Sequence, residues 1–313
     1  MKSNKTSRRD FLRSAALFGA AATIMPTEAL KAANKPEKRA LFDGKTLNGW
    51  NPSPRIYIPQ GFANLDPDKI FEEVVKWAEE NGQHERVAHI GHWEVVDGAI
   101  VGVHNPIDSP HGAYLVSDEK FGDFELELDA NPDWPADTGI MIRANRMASL
   151  GFQVLVDHRP HGNIGGVYGN SLGNFLAGGF FMNGDRLPNF KVENLREDKT
   201  IGNAIIIKPD FAAPFDEFKK AWRLNDWNHF KIRCVGRLPI ITTWINDVKI
   251  CELNSANIQG VQGFNPERVA QRLGNEGHIA FEIHDVPATG LLGRDRWEVG
   301  AKCRWKNITV KPL

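Results

Sequence analysis

Along this chain a period of two in polarity recurs far more often than a period of 3.6. Phe124-Glu-Leu-Glu-Leu-Asp alternates apolar and polar residues, as a strand does when one face meets a core. Strand-like runs cover His92 to Val96, Ala99 to Val103, Ala113 to Val116, Phe124 to Ala130, Gly139 to Ala144 and Gly151 to Val156. They resume at His229 to Val235, Ile240 to Ile245, Val248 to Leu253, Gly277 to Ile283 and Lys306 to Lys311. Asp97-Gly98 between two apolar runs is a strong hairpin signal, and Asn246-Asp247 reads as a similar tight turn. Helix is scarce. Asp66 to Gly82 has an acidic start, Pro67 in its first turn, Ile70, Val74 and Trp77 at helical spacing, and a terminal glycine. It forms a short helical insertion over about 64–82, and Pro266 to Leu273 is a second short helix. Residues 157–228, rich in Gly, Asn and Pro, read as one long loop. The sum is an all-β chain, a sandwich or jelly roll of antiparallel strands, with 38–313 as a single domain.

Composition changes this picture little. Of 313 residues 42% are hydrophobic, enough for a substantial core. A net charge of −1 removes the electrostatic case for nucleic acid or an anionic membrane as partner. The aromatic set is lopsided: 18 Phe and 9 Trp against 3 Tyr. Large aromatics suit sandwich cores, and exposed Trp suits the C–H faces of sugar rings. At the start, Ser7-Arg8-Arg9-Asp10-Phe11-Leu12 precedes a short Ala-rich apolar run. Residues 1–33 therefore read as a Tat-type signal peptide and linker, too weakly apolar to span a membrane stably. They predict a secreted, periplasmic protein. Cys234, Cys251 and Cys303 lack metal-ligand spacing. Cys234 and Cys251 can pair on consecutive strands, although an odd count and apolar neighbours favour free, buried thiols.

Six stretches come in an order that carries a resemblance. They are Leu41-Phe-Asp-Gly-Lys-Thr-Leu-Asn-Gly-Trp50, Trp93-Glu-Val-Val-Asp-Gly-Ala-Ile-Val-Gly102 and Phe121-Gly-Asp-Phe-Glu-Leu-Glu-Leu128, followed by Gly139-Ile-Met-Ile-Arg143, Trp227-Asn228 and Arg304-Trp-Lys-Asn-Ile-Thr-Val-Lys-Pro-Leu313. Together they resemble the 3-keto-disaccharide hydrolase domain family over roughly Ala40 to Leu313. The resemblance implies a concanavalin A-like β-sandwich (jelly roll) of two antiparallel sheets whose concave face binds carbohydrate. It also implies action on glycosides already oxidised at carbon 3. One strand departs from the family pattern of Gly-aromatic-Glu-x-Gln-x-x-Asp. Here Gln153 takes the Glu position, Leu155 the Gln position and His158 the Asp position, which suggests a subgroup in which Asp157 and His158 do related work.

Strand parity places Phe152, Val154 and Val156 on one face and Gln153, Leu155 and Asp157 on the other, with His158 at the strand exit. A turn-forming Asp beside a surface His is the competing reading. Gly277 to Asp285 puts His278, Ala280, Glu282 and His284 on one face, where an ordinary solvent face is the alternative. Cleaving a 3-keto glycoside needs a base at carbon 2, a cation or donor at the ketone oxygen and an acid at the leaving oxygen. The candidates are Asp157 or His158 as base, Arg143 with His284 at the oxyanion, and Glu282 as acid. Substrate contacts are expected from Arg143, Gln153, Tyr168, Trp134 and Trp222, with Trp297 a further stacking candidate; for each Trp, core packing competes. No cofactor is fixed by the sequence. A divalent cation is an option through His158, His161, Glu282 and His284, although no fixed-spacing motif supports it. Glu125, Glu127 and Asp129 faintly resemble a glycosidase carboxylate ladder, against the plainer reading of a hydrated face. A non-catalytic carbohydrate-binding jelly roll and a conventional glycosidase remain alternatives.

Overall fold

The computed structural model describes residues 37–59, 69–158, 161–183, 190–197, 205–286 and 297–313. The export segment expected at 1–33 lies outside them. Strand β1 (Arg39–Ala40) and β2 (Trp50–Pro54) lead to helices α1 (Ile70–Glu80) and α2 (His84–Ala88). Then come β3 (His92–Val96), β4 (Ala99–Val103), β5 (Ala113–Phe121), β6 (Phe124–Pro132), β7 (Asp137–Ala144) and β8 (Gly151–Asp157). Next are β9 (Ile164–Asn170), β10 (Phe175–Ala177), β11 (Met182–Asn183), β12 (Arg196–Glu197), β13 (Ile205–Ile207), β14 (Phe211–Ala212) and helix α3 (Phe215–Ala221). The chain closes with β15 (Asn228–Val235), β16 (Ile240–Ile245), β17 (Val248–Asn254), helix α4 (Pro266–Leu273), β18 (Gly277–Ile283) and β19 (Cys303–Pro312).

Two sheets form a jelly-roll sandwich. One runs β14-β17-β16-β15-β6-β19-β4-β3, with β1 on β19; the other runs β13-β10-β9-β8-β7-β18-β5-β2. Between them lies a single apolar core. Its centre is a stack of rings: Trp50 on Phe281 at 5.1 Å, Phe281 on Trp305 at 4.8 Å, and Trp93 against Trp305 at 5.9 Å. Parity fills it, since Phe124, Leu126 and Leu128 of β6 and Ile279, Phe281 and Ile283 of β18 all point inward. Outside β6, Glu125 pairs with Lys231 and Arg233, and Asp129 with His229 at 2.9 Å. That is the hydrated face, not a carboxylate ladder. Helix α1 turns Ile70, Val74 and Ala78 onto Ile56 and Met147 in a smaller cluster.

Three expectations change. The stretch read as a long loop, 157–228, holds β9, β10, four short strands and α3. Glycine disfavours strands in general, but in β9 a Cβ at Gly165 would press on Ile250, and one at Gly169 would overlap Phe175. These glycines make room for packing. Next, β10 and β13 pair in parallel at the sheet edge, so the sheets are not purely antiparallel. Helix α1 is shorter than the sequence suggested, and Asp66 and Pro67 lie outside the described residues. The cysteines follow the favoured reading: all three are free and buried, and Cys234 and Cys251 sit on β15 and β17 with β16 between them.

Candidate active site

The site is built on the outer face of the second sheet, where β18 presents Glu282 after Ile283 and Phe281 have gone into the core. Glu282 is fully buried, and each carboxylate oxygen accepts a bond. Arg55 Nε donates to Oε1 at 2.7 Å and Gln153 Nε2 to Oε2 at 2.5 Å. Gln153 comes from β8 and reaches Glu282 across the intervening β7. It can do so because position 139 is glycine: a Cβ there would overlap the Gln153 amide. Arg55 comes from the other side, just after the edge strand β2. Its Nη1 donates to Asp285 Oδ2 at 2.9 Å and to the Tyr57 hydroxyl, and its Nη2 faces His284 Nε2 at 3.1 Å. Burial opposes its charge, but Tyr114, Tyr57, Glu282 and Asp285 outweigh that and raise its pKa well above the usual guanidinium value.

Asp285 anchors the arrangement. It accepts from Arg55, from Arg86 Nη1 at 2.9 Å and from the Gly112 N–H at 2.6 Å. Burial alone would raise its pKa; the two guanidiniums and that N–H hold the carboxyl below its ordinary value. Arg86 arrives on α2, which with α1 lies in the insertion between the first strands and His92, so that helical insertion contributes directly. The Nδ1 of His284 lies 2.9 Å from the Asp285 carbonyl, which only accepts. A proton therefore sits on Nδ1, and in the neutral ring Nε2 is the nitrogen with the lone pair, beside Arg55. Asp137 Oδ2 stands 3.6 Å from the same Nε2. Asp137 pairs across the strands with Asp157, which places a second buried carboxyl one strand further on. Opposite Glu282, Tyr114 is buried, with its phenol pKa raised by burial and its hydroxyl accepting from Asn170 at 3.3 Å.

Of the residues singled out from sequence, Glu282, His284 and Gln153 come together, with Asp157 nearby. Tyr168 lies on the same face, opposite Gln153 in register and packed with Leu155 and Leu176. His158 goes the other way. Parity turns it into the sandwich, where it is fully buried with Trp134 at 4.9 Å and Trp222 at 5.4 Å. Trp222 is itself core, packed on Phe218 and Phe230, and Trp134 stacks on Phe190 at 4.4 Å. Trp297 is buried and donates to the Ala301 carbonyl. Arg143 has φ +49°, which breaks the alternation of β7. Its guanidinium bonds Asp123 and the Asn275 carbonyl beside Cys234, away from Glu282. The four side chains considered for a cation are split between faces, and among the described residues no three His, Cys, Asp or Glu are grouped to hold a metal ion.

Sequence reasoning missed Arg55, Arg86, Asp137 and Asp285. Asp285 had a visible signal, adjacent to His284. Arg55 had a weaker one, a lone charge in the otherwise apolar Pro54-Arg-Ile-Tyr-Ile58.

The family profile described as the 3-keto-alpha-glucoside-1,2-lyase-like domain matches residues 37–311. The chain belongs to this family. Membership in the lyase-like family points to a glycoside-related function. No curated protein sequence matches the chain. Two solved structures from Parabacteroides distasonis ATCC 8503, both provisionally titled glycosyl hydrolases, are similar to it. One has 15% identity and a TM-score of 0.46, covering 88% of this chain and 100% of that one. The other has 13% identity and a TM-score of 0.44, covering 92% and 98%. The carbohydrate binding module CBM66 from Bacillus subtilis is similar at 13% identity and a TM-score of 0.36, over 71% and 91%.

Two predictions follow from the geometry. Gly139→Ala should push Gln153 off Glu282 while the protein stays folded; an unchanged Gln153 position in a crystal structure of the variant would contradict this. The second concerns pH. Burial pushes His89, His104 and His158 down to about 4. The unfolded chain takes up their protons first, near pH 6.5, so stability should fall as pH drops from about 6.5 to about 4. A Tm that stays flat over that range would refute the assignment.

Proposed function

We propose that this protein cleaves glycosidic bonds in 3-keto-glycosides, with His284 as the base that starts the reaction. The ketone at carbon 3 acidifies the hydrogen at carbon 2. His284 Nε2 removes that proton, the electron pair left behind moves onto the ketone oxygen as an enolate, and its return forms the carbon 1–carbon 2 double bond as the carbon 1–oxygen bond breaks. The departing oxygen takes up a proton, so the hydrogen lost at carbon 2 is balanced on the released alcohol. Water adding across the double bond gives net hydrolysis. One observation carries the assignment: His284 Nε2, on a ring whose Nδ1 meets the Asp285 carbonyl, lies between a guanidinium and a carboxylate. Asp137 stabilises the imidazolium once formed, and Arg55 supplies positive charge for the enolate oxygen.

Glu282 takes a different role from the acid expected of it. With donors on both oxygens it is a carboxylate that orients Arg55. Asp157, beside Asp137, is the candidate to exchange protons with the departing group. The Arg8-Arg9 signal supports a periplasmic setting reached by Tat export, in which such glycosides are degraded; loss of periplasmic protein in an Arg8→Lys, Arg9→Lys variant would test it.

The deciding experiment supplies matched 3-keto-glucosides and unoxidised glucosides and analyses the products. The wild type should convert only the keto substrates, with a primary isotope effect when carbon 2 carries deuterium. His284→Asn should lower kcat by about 100-fold or more, the usual range for a lost general base. Equal turnover of unoxidised glucosides would make the protein a conventional glycosidase. Binding without any product would make it a carbohydrate-binding module.

A further inference from the structure

Tyr57 is anomalous among the tyrosines. Tyr114 is 1% exposed and Tyr168 is half-buried, but Tyr57 is 53% exposed directly beside the buried ion network. It is nevertheless fixed. Its hydroxyl accepts from Arg55 Nη1, and its ring carries the Arg55 guanidinium at 4.8 Å and that of Arg86 at 5.6 Å. Arg86 in turn donates to the Arg55 backbone carbonyl at 2.9 Å. On the other side of this extended segment, Ile56 is fully buried against α1 with Ile58 beside it, so the backbone is pinned as well. The other exposed aromatic among the described residues, Phe211, lies on the opposite sheet under Lys249.

We infer that Tyr57 is a stacking platform for the second ring of the substrate, the sugar or cyclic aglycone that leaves. The inference rests on the reading above, in which the oxidised ring occupies the Arg55–His284 site. An aromatic ring held by two cations and one hydrogen bond offers its exposed surface at little entropic cost, and the C–H face of a pyranose packs well on an aromatic ring. Arg55 joins the two places. One guanidinium meets His284 through Nη2 and Tyr57 through Nη1, so the platform is one side chain away from the reacting atoms. Arg86 makes the helical insertion part of the same subsite, and with it a determinant of which leaving groups are accepted.

The test measures binding of two 3-keto-glycosides, a disaccharide and a methyl monoglycoside, by calorimetry in the His284→Asn background. The parent should bind the disaccharide about tenfold more tightly, equivalent to about 1.4 kcal/mol. Tyr57→Ala should abolish that preference, and Tyr57→Phe, which keeps the ring, should retain it. A preference that survives Tyr57→Ala overturns the platform alone. If neither glycoside binds the parent, the platform and the proposed function fall together. Thermal melts of both variants check folding, and Tyr57 is exposed enough for truncation to leave the core intact.

Discussion

Arg55 is 6% exposed and charged, and removing an ion of that kind from water costs several kcal/mol unless partners replace the water. The partners here come from far along the chain: Glu282 is 227 residues away, Asp285 is 230, and His284 lies between them. Satisfying this guanidinium therefore fixes the end of β18, the exit of β2 and, through Arg86, the helical insertion relative to one another. Each element has its own apolar reason to dock. The buried charge sets the register at which they meet.

Placing the site on the outer face of a sheet has a further consequence. The inner face is committed to packing, so every polar side chain that reaches the site does so by strand parity or from beyond a strand end. Gln153 shows how tight that geometry is, since its amide crosses β7 only where glycine leaves space. Gly112 has the same character: a Cβ there would collide with the Ile283 carbonyl and the Asp285 backbone nitrogen, and its own N–H is one of the bonds holding Asp285.

The same rule decides how much was legible in the sequence. Alternation survives intact from Gly277 to Ile283, so Glu282 was readable as outward-facing, and Gln153 likewise on β8. His158 misled because one step past Asp157 reverses the face, which puts an imidazole among tryptophans. Arg143 misled for a different reason, a left-handed backbone that alternation does not anticipate. Arg55 was hidden because Pro52 and Pro54 erase the strand pattern before it, and its meaning depends on residues more than two hundred positions away. The glycine-rich strand β9 was unreadable because its glycines answer to Ile250 and Phe175, which only the folded chain brings close.

The dependence of the structure on the Arg55–Glu282 pair is best tested by a double-mutant cycle on unfolding free energy, with Arg55→Met and Glu282→Gln. Arg55→Met strands Glu282 as a buried charge with only the Gln153 amide and should cost about 3–5 kcal/mol, whereas Glu282→Gln leaves Arg55 its Asp285 partner and should cost less. The double variant removes both charges and should recover much of that loss, giving a coupling energy of about 2 kcal/mol or more. Losses that simply add, within about 0.5 kcal/mol, would show that the pair is not what the rest of the site is built around.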